Sequence, residues 1–579
     1  MRNPRRRSIF RFSVVALLGV VALPLLARGD GRLGTTIGQA QDVVAANGMV
    51  VAQEATAARI GVEILRKGGN AIDAAVAVGF AMAVTYPRAG NIGGGGFMVI
   101  HRADGEDTTI DYRETAPRAI DAKSFLDAQG NADPQKSRDS ALGIGVPGTV
   151  AGLALAEQKY GSGRFTLAEL IAPAIALARD GIPIADDTAD SLPQDKAKLA
   201  RWPSSTAIFF KPDGSALASG DRLVQTDLAN TLTAIAKNGP RAFYEGPIAE
   251  KLAADIQAAG GVMTADDLAD YRAIERAPVR GTYRGYDVVS MPPPSSGGVV
   301  LLEMLNILEG YDLGQGDEAQ QVFLMVEAMK RAYADRAEFL GDPDAVEVPV
   351  ERLISKDRAA KWRGTIDPDH ATPASDIHPA TITVGPEGHN TTHFSVTDRF
   401  GNAVSNTYTL NLSYGMGLVA EGTGVLLNDQ LDDFAAKPGA PNAYGLVGGA
   451  ANAPGPGKRP LSSITPTIVL KDGKPFLVTG SPGGSLIINA VLQVVLNEID
   501  RGMDLAGAVS APRVYDQWMP DFVFAEPGYS AKIVNALEAK GDHVVVKQLL
   551  TSTNSIRVTP DGFVGAADPR TRGALAVGY

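Results

Sequence analysis

The chain has no cysteine among its 579 residues. It therefore has no disulfides, no thiolate nucleophile and no thiolate metal site. Histidine is also scarce, with six residues. His389 and His393 have the spacing of a helical metal site, but irregular chain runs into a strand pattern there, so the two rings would not share a helix face. We expect no bound metal.

Sequence patterns that bind phosphate are missing too. No G-x-x-x-x-G-K-[ST] occurs, and the glycine run Gly93–Gly96 precedes a predicted strand, which is the wrong order for a dinucleotide fingerprint. Basic residues number 54 against 65 acidic ones, and losing the five arginines of residues 1–27 would take the net charge from -11 to -16. Such a surface repels phosphate backbones. We expect no cofactor and no nucleic-acid partner.

The apolar run near the N-terminus resembles an export signal. Phe12 to Leu26 is almost wholly apolar but short for a membrane span, and Ala27 is a small residue at a possible cleavage point. A basic region precedes the run, with Arg2, Arg5, Arg6, Arg7 and Arg11. We predict a signal over 1–27 and a periplasmic or secreted bacterial protein. An uncleaved anchor is the alternative, and consecutive arginines leave the twin-arginine route open.

The chain as a whole has the composition of an ordinary globular protein, with 45% hydrophobic and 21% charged residues. Helical patterns dominate the first two-thirds, as at Glu54–Lys67, Asn70–Thr85 and Glu318–Leu340. Residues 365–390 show no sustained period and are predicted to be an exposed linker. Short strands are predicted at 391–398, 402–410, 424–428, 465–470 and 475–479, followed by a helix at Ser485–Ile499 and two or three further elements. The pattern predicts an α+β protein.

Thr391 lies where the linker meets the first of these strands. Phe394 and Val396 alternate with His393 and Ser395 as in a half-buried strand. If the chain is cut before Thr391, the threonine hydroxyl lies beside its own α-amino group, which pairs a nucleophile with a base. The alternative is that threonine simply begins a strand, which it favours in any case.

Two further patterns suit binding or catalysis. The segment 480–484 (GSPGG) connects a strand to a helix, and its glycines leave N–H groups free for an oxyanion, although a tight turn also requires glycine. Arg113 ends a strand pattern and could grip a carboxylate, while the acids and amides of 428–433 suit an ammonium group. Ser462 and Ser463 add hydroxyl donors. The alternatives are a salt bridge for Arg113, a polar turn for 428–433 and a cap for the two serines.

Twelve short segments form a set in sequence order. They are GGNAIDAAVA (68–77), NIGGGGFM (91–98), DYRE (111–114), GVPG (145–148), PPPSSGG (292–298), EAMKRAYADR (327–336), GDPD (341–344), NTTHFSV (390–396), TYTLN (407–411), NDQLDDF (428–434), KRPLSS (458–463) and GSPGG (480–484). Together they resemble the γ-glutamyltransferase (γ-glutamyl transpeptidase) family, from about residue 46 to Tyr579.

The resemblance implies an N-terminal-nucleophile hydrolase fold, a four-layer αββα sandwich with two antiparallel sheets between helices. It implies a proenzyme that cuts itself between Asn390 and Thr391. The products would be a large subunit (28–390) and a small subunit (391–579) that remain together as a heterodimer. The substrates would be γ-glutamyl compounds such as glutathione, with water or amino acid and peptide amines as acceptors.

The resemblance also implies a role for each site residue. Thr391 would be the nucleophile, Thr409 would tune its hydroxyl, and the N–H groups of Gly483 and Gly484 would bind the oxyanion. The remaining residues would bind the glutamyl group: Arg113, Ser462 and Ser463 at its carboxylate, and Asn411, Gln430 and Asp433 at its amine. Residues 438–449 form a lid in some members of the family, with Tyr444 as the lid side chain here; a surface loop is the alternative.

Two other functions remain possible on the sequence. A related acylase would act on glutaryl or cephalosporin-type amides that lack the amine, although Asp433 would then be an unpaired carboxylate against an apolar acyl group. A non-catalytic protein would bind γ-glutamyl peptides as an unprocessed chain.

Overall fold

The computed structural model describes residues 38–377 and 390–579. The predicted export signal, His389 and the second part of the linker (378–389) lie outside the described residues. Across the two described ranges, no helix is both long and apolar enough to cross a membrane.

The strands of the described chain are distributed over its whole length. In chain order they are β1 (Val43–Ala45), β2 (Gly48–Ala52), β3 (Gly95–His101), β4 (Asp107–Asp111), β5 (Ile182–Pro183), β6 (Arg222–Leu223), β7 (Ile274–Arg276), β8 (Val279–Tyr283), β9 (Tyr286–Ser290), β10 (Thr392–Asp398), β11 (Ala403–Thr409), β12 (Val419–Ala420), β13 (Val425–Leu426), β14 (Thr467–Lys471), β15 (Lys474–Thr479), β16 (Val514–Tyr515), β17 (Val523–Ala525), β18 (Val544–Val546), β19 (Ser555–Thr559), β20 (Gly562–Ala566) and β21 (Leu575–Gly578).

Most helices precede the predicted cleavage point. They are α1 (Ala55–Arg66), α2 (Ala71–Thr85), α3 (Pro134–Ser137), α4 (Thr149–Tyr160), α5 (Leu167–Asp180), α6 (Asp186–Ser191), α7 (Lys196–Leu199), α8 (Pro203–Phe209), α9 (Thr226–Asn238), α10 (Arg241–Tyr244), α11 (Pro247–Ala258), α12 (Ala265–Asp270), α13 (Gly297–Leu308), α14 (Glu318–Phe339), α15 (Val350–Leu353), α16 (Lys356–Arg363), α17 (Ala374–Ile377), α18 (Ile487–Ile499), α19 (Leu505–Ser510) and α20 (Ala531–Lys540). Short 3₁₀ turns lie at Ala141–Gly143, Gln430–Asp433, Ala450–Asn452 and Gly484–Leu486.

Two antiparallel seven-stranded sheets form the centre of the molecule. The first has the order β21-β2-β10-β11-β3-β4-β7, and the second has the order β1-β20-β19-β15-β14-β9-β8. Each sheet therefore combines strands from both sides of the 390–391 bond. The helix-rich part supplies strands to both sheets, so the sheets are not confined to the final third of the chain.

The sheets pack face to face between two helical layers. The outer face of the first sheet packs on α1, α2 and α4, while α13 and α19 pack on the second sheet, and α14 and α18 pack on α13. Serine hydroxyls connect the inner faces: that of Ser395 donates to the carbonyl of Asn554, and that of Ser405 to the carbonyl of Thr479, both at 2.8 Å. The predicted αββα sandwich is confirmed.

Strand β10 is buried along its whole length, not on one side only. Phe394 and Val396 face the helices, whereas His393 and Ser395 face the second sheet. The half-buried pattern expected from the alternation is therefore wrong, because an inner polar face between two sheets has the same sequence period as a solvent-exposed face.

The periodic helices were predictable to within a few residues. Glu54 caps α1 by accepting hydrogen bonds from the N–H groups of Thr56 and Ala57, and Asn70 forms a capping box with Asp73 at the start of α2. Helix α2 is buried on all sides, as its composition predicts.

Two other expectations need correction. Residues 365–377 are not simply exposed linker, because Arg331 donates to the hydroxyls of Thr365 and Thr372 and the buried Ala374 contacts Trp518. The chain after Ile499 contains α19, α20 and six strands instead of two or three elements. Those strands are short, and such brief patterns are hard to distinguish from loops.

Candidate active site

Thr391 is buried immediately before β10, at the position predicted for the nucleophile. In the uncut chain its hydroxyl donates to the carbonyl of Asn390, with 2.5 Å between the oxygens. The hydroxyl therefore lies beside the carbonyl that a self-cleavage reaction would attack. The Asn390 side chain is held by the carbonyl of Arg88 at 3.1 Å.

Thr409, at the end of β11, lies across the ladder from this junction, since Thr392 pairs with Tyr408. Its hydroxyl donates to the same Asn390 carbonyl at 3.0 Å and accepts the N–H of Asn411 at 2.9 Å. In the uncut chain it thus contacts the carbonyl and not the Thr391 hydroxyl that the resemblance implies. Its role in tuning Thr391 stays a prediction for the cut form.

The glycine run 93–96 explains how Thr409 is held. Strand β3 pairs with β11, with Gly95 opposite Thr409. A Cβ on Gly94 would lie 2.1 Å from the carbonyl oxygen of Thr409. Only glycine allows this approach, so the motif has a packing role next to the junction.

Arg113 and Asp433 form an ion pair across the cleft, although they are 320 residues apart in sequence. Arg113 is fully buried and also donates to the carbonyl of Pro460 at 3.1 Å. Asp433 accepts a hydrogen bond from the amide of Gln430 at 2.8 Å. Burial raises the pKa of Asp433, and the Arg113 charge opposes that shift.

Asn411 and Tyr444 cover the other side of the cleft. Asn411 has a positive φ of 77°, and its amide donates to the carbonyl of Asp429 at 3.0 Å. The hydroxyl of Tyr444 lies 2.8 Å from the side-chain oxygen of Asn411. The predicted lid residue is therefore buried against a predicted amine-binding residue.

Gly484 lies under the Tyr444 ring. Its φ is 57°, and a Cβ there would lie 2.3 Å from a ring carbon of Tyr444. Gly483 has a φ of 128° and backs onto the carbonyl of Leu550. Gly484 lines the cleft and Gly483 adjoins it. Both conformations favour glycine, and both leave N–H groups at the start of a helix.

The structure brings the predicted residues into one cleft. Those that line it are Arg113, Thr391, Thr409, Asn411, Gln430, Asp433, Tyr444, Ser462, Ser463 and Gly484, together with Leu446, Ile464 and Ile487. Within residues 38–377 and 390–579, no group of three or more histidines and acids is arranged to hold a metal ion.

Three polar residues beside the cleft were not singled out from the sequence. Glu114 is fully buried, and its carboxyl has no hydrogen-bond partner in the described chain. Burial raises the pKa of Glu114 to about 8, although Arg113 opposes the shift. Arg336 and Ser296 lie behind the two serines. The sequence signal that could have pointed to them was the family motif around each residue, EAMKRAYADR for Arg336 and PPPSSGG for Ser296.

His393 lies two residues after Thr391 but is not placed to act as a base. Its ring nitrogens contact the hydroxyls of Thr407 at 2.7 Å and Ser395 at 3.0 Å. Burial lowers the pKa of His393 to about 3, so the ring is neutral near neutral pH. Its contacts are those of a satisfied core residue.

Comparison with known proteins identifies the group to which this arrangement belongs. The model of the family described as Gamma-glutamyltranspeptidase matches residues 57–578. The chain belongs to the γ-glutamyltranspeptidase family. The predicted family, fold class and enzyme class are confirmed.

Relatives of two kinds share this family's architecture with the chain. Glutathione hydrolase proenzyme of Escherichia coli (strain K12) is 53% identical over 544 residues, covering 93% of this chain and 93% of the relative. Acylase ACY 1 proenzyme of Pseudomonas sp. (strain SE83) is 38% identical over 536 residues, covering 91% and 92%. A crystal structure of cephalosporin acylase from Bacillus halodurans matches with a TM-score of 0.82 at 29% identity, covering 94% of this chain and 97% of that one.

Proposed function

We propose that the protein cuts itself between Asn390 and Thr391 and then cleaves γ-glutamyl amides, glutathione among them. The acyl group passes to Thr391 and then to water or to an amino acid or peptide amine. One observation carries the proposal. The Thr391 hydroxyl and the Thr409 hydroxyl both contact the Asn390 carbonyl, in the cleft where the buried Arg113 is paired with the partly buried carboxylate of Asp433.

Self-cleavage begins with attack of the Thr391 hydroxyl oxygen on the Asn390 carbonyl carbon. The hydroxyl proton leaves, the carbonyl oxygen gains negative charge, and Thr409 donates a hydrogen bond to that oxygen. The C–N bond then breaks, and the Thr391 nitrogen takes up the proton that the hydroxyl lost. Water hydrolyses the resulting ester, giving a carboxylate on Asn390 and a free amine on Thr391.

Turnover uses the new N-terminus. The free α-amine has a pKa of about 8 in a model peptide, so near neutral pH a fraction is available to take the proton of the Thr391 hydroxyl. The hydroxyl oxygen attacks the γ-carbonyl of the substrate, and the N–H groups of Gly483 and Gly484 stabilise the oxyanion. The proton passes to the leaving amine, and water or an acceptor amine then releases the glutamyl group from the ester.

Substrate recognition follows from the Arg113–Asp433 pair. A glutamyl group carries both an α-carboxylate and an α-ammonium group, so it gives Arg113 and Asp433 each a new partner when their pair opens. A glutaryl group lacks the amine, so opening the pair would leave the partly buried Asp433 carboxylate without a direct ionic partner, which is costly. This asymmetry favours γ-glutamyl substrates. Gln430 and Asn411 supply further contacts to the amine, and Ser462 and Ser463 to the carboxylate.

The cut would divide the exported chain into two subunits. The large subunit would be 28–390 and the small subunit 391–579, held together because each sheet uses strands from both. The export signal at 1–27 would place the enzyme in the periplasm or outside the cell, in keeping with its arginine-rich start.

An acylase acting on glutaryl or cephalosporin-type amides is the second candidate. Relatives named as acylases share this fold and 38% of aligned residues, compared with 53% for the Escherichia coli relative named glutathione hydrolase. The Asp433 carboxylate and its pairing with Arg113 favour the first candidate.

One experiment tests both steps. The full chain is expressed with its signal, purified, run on a denaturing gel, and each band is sequenced from its N-terminus. We expect two bands, the smaller starting at Thr391, and a single inactive band for Thr391→Ala. Turnover of γ-glutamyl-p-nitroanilide should exceed that of glutaryl-p-nitroanilide, and Asp433→Asn should weaken the first substrate more than the second.

Each alternative predicts a different result. Faster turnover of the glutaryl substrate would replace the proposed function with that of an acylase. An uncut chain that binds glutathione without consuming it would indicate a binding protein. Processing that survives Thr391→Ala would refute the assignment of the nucleophile.

A further inference from the structure

The segments 292–298 and 327–336 have no part in the proposed mechanism. Each supplies a side chain that contacts Ser462 or Ser463. We propose that Arg336 is a positioning residue for the substrate carboxylate, acting through the Ser463 hydroxyl. The inference rests on the proposed function, because it concerns the glutamyl site. It assigns a role to the segments 292–298 and 327–336.

Arg336 lies near the end of α14 and is 5% exposed. Its Nε donates to the hydroxyl of Ser296 at 2.9 Å, and its Nη2 donates to the hydroxyl of Ser463 at 3.1 Å. Among residues 38–377 and 390–579, no carboxylate is within ion-pair distance of this guanidinium, although the Asp433 charge acts on it from farther away. Its positive charge is therefore not neutralised by a direct contact.

Ser296 connects the guanidinium to the neighbouring serine. Its hydroxyl donates to the carbonyl of Ser462 at 2.7 Å, and its N–H donates to the same oxygen at 2.8 Å. Ser295 also pairs with Ser462 in an isolated bridge. The 292–298 segment thus fixes the backbone of the serine pair, and Arg336 fixes Ser296 in turn.

The direction of the hydrogen bonds gives this arrangement a chemical consequence. A serine hydroxyl has one proton to donate and lone pairs that accept. Because arginine only donates, Ser463 must accept from Arg336, and its own proton is left for another acceptor. Ser463 lines the cleft, where the α-carboxylate is the acceptor that the proposed substrate provides. The buried cation behind it strengthens that donor.

The test compares two substrates that differ in one group. γ-Glutamyl-p-nitroanilide carries the α-carboxylate, and 4-aminobutyryl-p-nitroanilide keeps the amine but lacks the carboxylate. For Arg336→Met we expect kcat/KM on the first substrate to fall about tenfold or more, mainly through KM, as for loss of a hydrogen bond to a charged group. On the second substrate it should change by less than about threefold, within the range of a neutral change. Arg336→Lys should lie between, because lysine keeps the charge but not the two-pronged contact.

A purely structural role predicts something else. Equal losses on both substrates, or no loss on either, would overturn the inference. Arg331→Met is the matched control, since Arg331 is a buried arginine of the same helix that contacts Glu327 and Thr365 instead of the serines. It should reduce thermal stability without changing the preference between the substrates.

Two further measurements keep the inference testable if Arg336→Met does not process itself. Ser296→Ala removes the hydroxyl between Arg336 and Ser462 without removing a charge, and it should lower the same preference by a smaller factor. In a Ser463→Ala background, adding Arg336→Lys should lower the preference for the first substrate hardly further. The two changes remove the same hydrogen bond, that between Arg336 and the Ser463 hydroxyl. Fully multiplicative losses would exclude the route through Ser463. Failure of the proposed function is distinct, because wild type would then not turn over γ-glutamyl-p-nitroanilide.

Discussion

At the residue scale, the cleft combines two kinds of side chain. Thr391 and Thr409 direct their hydroxyls at one carbonyl, where bond breaking requires a nucleophile and a donor. Arg113, which is buried, and Asp433, which is partly buried, carry opposite charges and pair with each other. Glu114 adds a buried carboxyl without a hydrogen-bond partner in the described chain. The contacts of the two hydroxyls and the pairing of the two charges both depend on exclusion of water from the cleft.

Thr409→Val should slow self-cleavage. Valine keeps the shape of threonine but removes the donor to the Asn390 carbonyl, and loss of one oxyanion donor typically costs about 10²–10³ in rate. The rate is read from the appearance of two bands on a denaturing gel over time. Thr397→Val is the matched control, because Thr397 is buried on β10 and its hydroxyl has no hydrogen-bond partner in the described chain. An unchanged rate in Thr409→Val would exclude the donor role.

Glu114 predicts a pH dependence of stability. Below its ordinary pKa of 4.5 the carboxyl is protonated in both folded and unfolded chains, and between 4.5 and about 8 only the unfolded chain ionises. The free energy of unfolding should therefore fall by about 1.4 kcal/mol per pH unit from this group as the pH rises through that window. Above about pH 8 no further loss follows.

Glu114→Gln isolates this contribution, because glutamine has a similar shape and does not ionise. Thermal unfolding midpoints are measured for both proteins from about pH 5 to about pH 9, across the expected window. The wild-type midpoint should fall relative to that of the variant as the pH rises. Parallel curves would show that the carboxyl is not held neutral in the folded protein.

At the element scale, the site depends on close packing of β3, β10 and β11. The central ladder places Thr409 opposite Gly95 and Thr392 opposite Tyr408. Glycines at this end of β3 let the backbone of β11 approach, and the inner faces are joined by serine hydroxyls. Thr391, the proposed nucleophile, thus lies at the end of the central ladder of the first sheet.

Gly94→Ala should impair both stability and processing. The new Cβ would lie 2.1 Å from the Thr409 carbonyl oxygen, so β11 must shift away from the junction. Overpacking of this kind costs about 1–3 kcal/mol. Thermal unfolding and a processing time course would detect the two effects. Gly364→Ala, at the exposed end of α16, is the control, since its Cβ would come no closer than 3.3 Å to the nearest atom. Normal processing of Gly94→Ala would contradict the packing role.

At the scale of the whole molecule, the strand order determines what cleavage can release. β10 and β11 lie between β2 and β3 in the first sheet, and β14 pairs with β9 in the second. Separating the chains at the 390–391 bond would break ladders in both sheets and expose both hydrophobic cores. We therefore expect cleavage at this bond to leave the sandwich intact.

The processed protein should elute as one species in size-exclusion chromatography under native conditions, while a denaturing gel shows two bands. We expect the two chains to separate only when the sandwich unfolds, because each completes the sheets of the other. Elution of a free fragment starting at Thr391 under native conditions would contradict this assembly.

Short motifs are local properties of the chain, so the family resemblance that they carry was enough to predict the αββα fold and most of the candidate residues. The contacts between residues far apart in sequence became visible only in the folded chain. It paired Arg113 with Asp433 across 320 positions, directed Thr409 at the Asn390 carbonyl, and buried both faces of β10. It also placed Arg336 behind Ser463. Such contacts arise when distant segments are brought together by packing, and local sequence patterns carry no record of that proximity.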